Sequence, residues 1–432
     1  MTRHGWGPWS GAGLVAANMI GASVFVSAGF MAQQMGPGPI LASWVLGGAL
    51  ALCGVIAYGA LASRIPQSGG EYRYLSDLLH PALGYLAGWG SLTLGFAAPV
   101  ALDAFAAGAF LDTVLPIGDP RWFGSVLIVG LTVAHAQHAK VSRLAQNGLV
   151  ALKLLLVVGF LAVGIGVGRW SWPTWSPPAS VGLTWTAFFE NQLWIAFAFS
   201  GWNAAVYAAG EFRNPRRDVR RAMLVGTLGV WILYLFVNAV FVANLTPAEA
   251  NVVTESHVVT LGHVVAARLV GPVGAGIVSL GAVFTFTSAM SAMTIVGPRV
   301  YAGMACDGFL PAALAGRDGE PPVGSVVLQG VLALGLLWST SLHGLVEQAA
   351  AILLLFTGLT TLTVFRLGAA LPDEPGPSAI ERVAAGTYTL AAAGFLYLAF
   401  RDNPSLLALL GGVGVIGVVA WMLSARRALA LR

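Results

Sequence analysis

Long apolar runs dominate this sequence, and their length decides what the chain can fold into. A membrane-spanning helix needs about 20 mostly apolar residues. Lipid offers no partner to an unpaired backbone group, so only helices and closed barrels cross a membrane. These runs are too long and too apolar for barrel strands. The sequence therefore predicts an all-α integral membrane protein with 12 transmembrane helices, at about 11–34, 38–63, 81–113, 122–139, 144–168, 187–210, 221–244, 268–304, 322–340, 345–366, 383–400 and 403–424.

The scarcity of charge excludes the soluble classes of protein. Only 9% of the residues are charged and 57% are hydrophobic, whereas a soluble domain carries about 25% charged residues. Such a chain cannot cover its surface for water, so we exclude a soluble enzyme and a nucleic-acid-binding module. No cofactor or metal site is predicted, since His135 and His138 have metal-binding spacing but no third ligand nearby.

The distribution of Lys and Arg predicts the orientation. With the N-terminus in the cytoplasm, seventeen of the 22 Lys and Arg residues fall on the cytoplasmic side and Lys153 falls within a span. Only four fall outside: Arg121, Arg169, Arg268 and Arg401. Positive residues concentrate in cytoplasmic loops, so we expect a multi-pass protein of the cytoplasmic (inner) membrane with both termini in the cytoplasm. The same bias explains the net charge of +4 without a nucleic-acid partner.

Two spans carry glycine and small residues at mid-membrane depth. One stretch is Asn18–Phe25 in the first span, and the other is Phe197–Asn203 in the sixth. A break there exposes backbone N–H and C=O groups, which lipid tolerates only where they line a cavity. Interrupted spans at corresponding positions of two halves indicate a transporter substrate site. Flexible glycine positions without a site are the alternative.

Four strings in the chain resemble the amino acid–polyamine–organocation family, in particular its L-amino-acid transporter branch. The string Gly21-Ala22-Ser23-Val24-Phe25 is similar to the family's first-helix G-[SA]-G-[IV]-F pattern, with Ser23 in place of the second glycine. The others are Phe197–Asn203 with Gly210-Glu211 and Asn214–Arg217, then Arg299 with Tyr301 and Asp307–Pro311, and the loop Pro66–Tyr72.

The resemblance implies a LeuT-type fold within a single transporter domain over 1–432. Residues 11–168 would form the first repeat of five helices, and 187–366 the inverted second repeat. Helices 1 and 6 would be broken, and 383–424 would form two extra helices. The substrate would lie between helices 1, 3, 6 and 8.

The breaks match the chemistry of a zwitterionic amino acid. A half-helix N-terminus favours a carboxylate, and Gly21, Ala22 and Ser23 begin the outer half of the first span. Carbonyls at a half-helix C-terminus suit an ammonium. Ile20 and the stretch Phe197, Ala198, Phe199 and Ser200 supply them. No acid lies beside either break, so neutral substrates are favoured.

Further candidates surround the breaks. The resemblance makes Phe197 the aromatic lid, with packing as the alternative. Asn203 either binds the substrate or braces the unwound turn, and Trp202 lies beside it. Met293 is a candidate for the floor of the pocket, although packing is its more usual role. Glu211 is expected to pair with a cytoplasmic Arg as part of the inner gate.

Charges inside a span mark functional sites by default. Lys153 lies in the middle of the fifth span, and snorkelling to an interface is the alternative reading. The resemblance to sodium-independent members places its ammonium where sodium sits in relatives. It would bridge helix 1 near Gly21 and helix 8 near Ser288. Asp103, in the third span, either faces the substrate path or pairs within the bundle.

These observations favour sodium-independent transport of neutral L-amino acids by alternating access, as an exchanger or a proton-coupled symporter. A membrane enzyme would need clustered acids or histidines at one membrane face, which the sequence lacks. A non-transporting sensor or subunit, or a polyamine or cationic amino acid transporter, remains as an alternative. The predicted loop from 112 to 121 contains no Cys, so no disulfide-linked ancillary subunit is expected.

Overall fold

The structure is a computed structural model that describes residues 5–137, 139–168, 173, 185–245, 261–317 and 320–430. His138 lies outside this part of the chain. The described elements are helical apart from one isolated β-bridge between Trp6 and Phe212. The helices are α1 (Pro8–Met19), α2 (Ser23–Gln34), α3 (Pro37–Arg64), α4 (Glu71–Leu78), α5 (Pro81–Gly90), α6 (Ala97–Asp112), α7 (Pro120–Ala136), α8 (Ala139–Val167), α9 (Trp185–Glu190), α10 (Gln192–Ala198), α11 (Ala204–Tyr207), α12 (Pro215–Asn244), α13 (Leu261–Cys306), α14 (Val323–Ser339), α15 (Leu342–Leu362), α16 (Leu367–Ala370), α17 (Ala379–Asp402) and α18 (Pro404–Ala430).

Proline starts many of these helices. Its fixed φ suits the first helical turn, and its missing N–H costs nothing there. Pro8, Pro37, Pro81, Pro120 and Pro215 each stand at the beginning of a helix. Side chains cap four of the described helices, at His80 for α5, Asp119 for α7, Ser341 for α15, and Ser378 with Glu381 in a capping box for α17.

Within the described residues, eight helical stretches are long and apolar enough to cross a membrane, if α5 and α6 are counted together as the continuous stretch Pro81–Asp112. The number is nine if the bent pair α1 and α2 counts as one more span. Two more predicted spans correspond to α7 and α14, which have 17 residues each. The predicted sixth span is divided among the short helices α9, α10 and α11. The chain is thus an all-helical membrane protein, while the number of twelve spans stays a prediction.

The helices pack in two groups. In the first group α12 packs against both α1 and α3. In the second, α13 packs against α6 and α8, α6 packs against α7, and α14 packs against α6 and α7. The pair α1 and α2 and the pair α10 and α11 bring their breaks to the boundary between the groups, since α1 and α11 also contact α13.

Both predicted breaks are present in the backbone. The first separates α1 from α2 at residues 20–22. Ile20 is extended there (φ −79°, ψ 94°), and the two helix axes differ by 49°. The second lies between α10 and α11, where Gly201 has a φ of +94°. Only glycine adopts this left-handed region without strain, so a glycine is required at the second break.

Candidate functional site

The first break lies between α6 and α13. The Ala22 N–H donates a hydrogen bond of 2.7 Å to Asp103 Oδ1. A Cβ atom on Gly21 would lie 2.9 and 3.0 Å from the two Asp103 carboxylate oxygens and 3.4 Å from Ala289 Cβ. Glycine at position 21 therefore permits the close approach of the carboxylate, and Asp103 belongs to the site.

Lys153 binds the other side of the same break. Its Nζ donates to the carbonyl oxygens of Ala17 (2.9 Å) and Ile20 (2.5 Å), and its side chain is fully buried. A cation at the C-terminus of α1 and an anion at the N-terminus of α2 both complement the helix dipoles. Snorkelling is excluded in this structure, because the ammonium is buried on the backbone of α1.

The expected bridge from Lys153 to helix 8 differs from the structure. Ser288 Oγ is buried and has no hydrogen-bond partner among the described residues. The ammonium instead points along its own side of the break, where two carbonyl oxygens of the last turn of α1 accept from it. The last carbonyl groups of a helix have no partner within the helix, so they are free to accept. Among the residues that the structure describes, Lys153 thus contacts helix 1 and makes no hydrogen bond to the Ser288 hydroxyl, while the proposed coupling role of Ser288 stays a prediction.

The second break packs directly against the first. A Cβ atom on Gly201 would lie 2.9 Å from Asn18 Cβ and 3.0 Å from the Asn18 carbonyl carbon. Across the break, the Ser200 N–H donates to the Phe197 carbonyl (2.9 Å). Several carbonyls expected to receive a substrate ammonium thus already accept from the protein. Each carbonyl oxygen has a second lone pair, so a ligand can share it.

Tyr234 on α12 joins the two breaks and was missed by the sequence analysis. Its hydroxyl group lies 2.6 Å from the Met19 carbonyl oxygen and 3.2 Å from that of Ala198. Its ring packs against Phe199 and Trp44, at centroid distances of 5.3 Å each. In sequence, a tyrosine inside an apolar span is most simply explained as a packing residue. Its hydroxyl group is the one feature that suggests a hydrogen bond to the backbone.

We expect Tyr234→Phe to lower the transport rate by about fivefold, since the single hydroxyl proton is shared between two buried carbonyl oxygens and its loss removes about 1 kcal/mol of hydrogen bonding. The ring and its packing remain, so thermal stability should change little. Uptake by proteoliposomes at equal protein content measures the effect. Tyr397→Phe, which alters a tyrosine that is 67% exposed, is the matched control. Equal rates in the two variants would contradict a role for the bridge.

Asn203 contacts a buried carboxylate that the sequence analysis did not identify. Asn203 Nδ2 donates to Glu71 Oε1 (2.6 Å) and to the Tyr207 hydroxyl (3.0 Å). The Tyr58 hydroxyl donates to the same carboxylate oxygen (2.7 Å). These contacts favour the bracing role for Asn203. Glu71 precedes the third predicted span, and a loop residue gives no sequence signal that tertiary packing will bury it.

The remaining candidate residues, Trp202, Phe197, Ser23 and Met293, are all buried, but they lie in different surroundings. The Trp202 ring faces α3 and α17, with Tyr58 at 4.8 Å and Tyr388 at 5.7 Å. Phe197 is 3% exposed at the end of α10, and Ser23 is buried at the start of α2. Met293 is buried too, and its carbonyl accepts from Gln329 Nε2 (3.2 Å) on α14. The contacts of Trp202 and Met293 are those of packing residues.

Polar contacts close the side of the molecule that carries Trp6, which we call the N-terminal face. Glu211 Oε1 pairs with Arg299 Nη2 at 2.6 Å and thereby joins the exit of the sixth span to α13. The Tyr72 hydroxyl donates to Asp307 Oδ2 (2.5 Å). Burial and the neighbouring Asp307 raise the pKa of Tyr72, so the hydroxyl keeps its proton as donor. The expected partner of Glu211 is thus Arg299.

The segment before α1 is hydrogen-bonded to the end of the sixth span, next to Glu211. The Trp6 N–H donates to the Glu211 carbonyl (2.8 Å), and the Arg213 N–H donates to the Trp6 carbonyl (3.1 Å). The rings of Trp6 and Phe212 meet edge to face, 5.8 Å apart. The start of the first span and the end of the sixth are therefore joined by backbone hydrogen bonds.

An aromatic cluster closes the opposite face. Trp194 on α10 lies 4.6 Å from Phe30 on α2 and 4.6 Å from the His343 ring on α15, centroid to centroid. Ser27 Oγ also donates to the Trp194 carbonyl (3.1 Å). The α2 half of the first span and the α10 half of the sixth span are thus packed against each other and against α15.

Comparison with known proteins agrees with this architecture. The family model described as "Amino acid permease" matches residues 7–423. The large neutral amino acids transporter small subunit 2 of Homo sapiens is 24% identical, over 96% of this chain and 79% of its own length. The Asc-type amino acid transporter 1 of Mus musculus is 25% identical, over 93% and 77%. The b(0,+)-type amino acid transporter 1 of Mus musculus is 26% identical, over 82% and 74%. With two broken spans meeting at their backbones and a family match over nearly its whole length, this chain belongs to the amino acid permease family.

Proposed function

We propose that this protein carries out sodium-independent secondary transport of neutral L-amino acids across the cytoplasmic membrane, by alternating access, as an exchanger or a proton-coupled symporter. The observation that carries the proposal is the Lys153 ammonium buried on the Ala17 and Ile20 carbonyls at the first break. Family membership favours a transporter over an enzyme. Both helix breaks are intact in the structure, which argues against a sensor that has lost transport.

Lys153 accounts for the independence from sodium. Its ammonium takes the carbonyl oxygens that a sodium ion would need at this break. A second cation about 4 Å away would be repelled by about 4 kcal/mol at an effective dielectric constant of 20. The site is thus occupied by a fixed charge, and no sodium ion is required to balance it.

The charge balance of the first break supports a neutral substrate. One acid, Asp103, and one base, Lys153, contact the same three-residue break from opposite sides. Their charges cancel, so the break favours a substrate whose own charges cancel. The similar human protein is named a transporter of large neutral amino acids, and the same substrate class is proposed for this chain.

The proposal includes the architecture that the resemblance implies. The 12 helices would form the inverted repeats 11–168 and 187–366, with both termini in the cytoplasm. The two packing groups support this arrangement, because both breaks lie at their boundary. Alternating access would then move the group of α1, α3 and α12 against the group of α6, α7 and α13.

Sodium independence is tested by uptake of labelled L-leucine into proteoliposomes. We expect equal initial rates in sodium and choline buffers, because Lys153 replaces the ion. Counterflow with and without an imposed pH gradient then separates exchange from proton symport. A clear sodium requirement would overturn the assignment of Lys153, and no uptake of any amino acid from a full panel would overturn the proposed function.

We also propose that the chain works without a disulfide-linked subunit. The similar human protein is named a small subunit, so a requirement for a second subunit has to be tested for this chain too. Here Cys53 is half-buried within α3, and Cys306 is exposed at the end of α13, beside the N-terminal face. The uptake assay on the purified single chain answers it directly, since a need for a co-purifying subunit would appear as inactivity.

Phe197 is proposed as the lid over the substrate. It is buried in the last turn of α10, directly before the break. We expect Phe197→Ala to reduce uptake by about tenfold or more, because a substrate that lies under the ring would lose the apolar contact of a buried aromatic side chain, about 1.5–3 kcal/mol. Phe197→Trp keeps an aromatic ring and should be milder. Unchanged uptake by the Ala variant at equal expression would assign Phe197 to packing.

A further inference from the structure

The carboxylate of Asp103 occupies the position proposed for a substrate carboxylate. Ala22 is the residue that begins the outer half of the first span, and its N–H lies at the positive, N-terminal end of the α2 dipole. Asp103 Oδ1 takes this donor at 2.7 Å. Asp103 is 3% exposed, and its Oδ2 atom is buried without a hydrogen-bond partner among the described residues.

Lys153 completes the resemblance to a bound amino acid. Its ammonium takes the Ala17 and Ile20 carbonyls at the end of α1. Asp103 and Lys153 thus place a carboxylate on the N–H side of the break and an ammonium on the carbonyl side. This is the arrangement that the proposed function assigns to the two charged groups of a zwitterionic substrate.

A bracing role alone does not explain the carboxylate. A neutral amide would accept the same hydrogen bond from Ala22, and a buried carboxylate with an unpartnered oxygen is costly. Lys153 balances the charge from the opposite side of the break, but it donates to the Ala17 and Ile20 carbonyls, and Asp103 Oδ2 is left without a donor within the described part of the chain. The Ala22 N–H is therefore shared ground, because the carboxylate of a substrate needs the same end of α2.

We propose that Asp103 is a specificity-determining residue that stands in for the substrate carboxylate at the first break. The inference rests on the proposed function. When substrate leaves, Asp103 satisfies the Ala22 N–H, so the break can close and the carrier can return without cargo. When substrate arrives, the two carboxylates compete for one donor and repel each other. Asp103 thus weakens the binding of carboxylate-bearing substrates and permits net transport.

Two substitutions separate the charge from the hydrogen bond. Asp103→Asn removes the charge and keeps an acceptor for Ala22, whereas Asp103→Ala removes both. We expect the KM for L-leucine to fall about tenfold in each variant, because the repulsion is gone. Efflux into leucine-free buffer should persist in the Asn variant and fall at least fivefold in the Ala variant. Exchange against internal leucine should persist in both.

The matched ligand is L-leucinamide, in which a neutral amide replaces the carboxylate. Its inhibition constant should change by less than about twofold between wild type and Asp103→Asn, so that the coupling appears only with leucine. Asp77→Asn is the control, since Asp77 pairs with Arg73 at 3.7 Å on a partly exposed helix away from the break. That variant should leave the KM and efflux unchanged.

The outcomes distinguish the inference from the proposed function. If wild type does not transport leucine or any other neutral amino acid, the proposed function fails. If wild type transports leucine and the Asn and Ala variants keep its KM, the inference alone fails. If neither variant folds, the wild-type protein decides: an affinity for leucinamide within about threefold of that for leucine supports the repulsion, and any weaker affinity for leucinamide overturns it.

Discussion

Lys153→Ala is expected to lower the transport rate about 100-fold or more. The substitution removes two hydrogen bonds from a charged donor to the Ala17 and Ile20 carbonyls, each of which contributes about 1.5–3 kcal/mol. A loss of about 3 kcal/mol corresponds to about two orders of magnitude in rate. The end of α1 would lose the group that fixes its direction. Initial rates of counterflow in proteoliposomes measure the loss.

The control for this prediction lies on the same helix. Leu155→Ala alters a side chain that is 70% exposed on α8, and its rate should stay within about twofold of wild type, because a lipid-facing truncation disturbs no partner. Size-exclusion profiles of both variants verify folding. A Lys153→Ala variant that is folded and transports at the wild-type rate would remove Lys153 from the mechanism.

Gly201→Ala is expected to abolish transport and to destabilise the protein. Residue 201 has a φ of +94°, a backbone region that an L side chain adopts at a cost of about 1–2 kcal/mol. The added Cβ atom would also lie 2.9 Å from Asn18 Cβ and 3.0 Å from its carbonyl carbon. Backbone atoms cannot turn aside as a flexible side chain can. The two breaks would have to separate, and the melting temperature should fall by several degrees.

Gly130→Ala provides the comparison for the same chemical change. Gly130 lies on α7, and a Cβ atom there would meet no atom within 4 Å. Alanine favours a helix over glycine by about 1 kcal/mol, so stability should be equal or slightly higher and transport unchanged. If both glycine variants behave alike, the contact between the breaks has no special role.

The sequence predicted those parts of the molecule that depend on local composition. Apolar runs predicted the helices, and clusters of glycine and small residues predicted both breaks, since each signal is contained within one segment. Lys153 stood out because a lone charge in an apolar span needs a reason. Glu211 stood out through the resemblance, and its partner Arg299 is 88 residues away.

Contacts between residues that are far apart in the chain could not be predicted from the sequence. Asp103 was identified as a charge in a span, but its bond to Ala22 joins residues 81 apart. Tyr234 lies 215 residues from Met19, and Glu71 is buried against Asn203, which lies 132 residues away. The missing hydrogen bond between Lys153 and the Ser288 hydroxyl has the same origin, since the resemblance placed the two residues near each other but could not fix the direction of the ammonium.

The backbone bridge at Trp6 reduces the number of independent moving parts. Trp6 is joined to Glu211 and Arg213, at the exit of the sixth span, by backbone hydrogen bonds, and Gly201 packs against Asn18 near the other end of α1. Because α1 is fixed near both of its ends, it cannot reorient independently of these two contacts. We therefore expect α1 and α11 to move together in the proposed transport cycle, with the two breaks as the hinge and with the Glu211–Arg299 ion pair as a contact that has to separate.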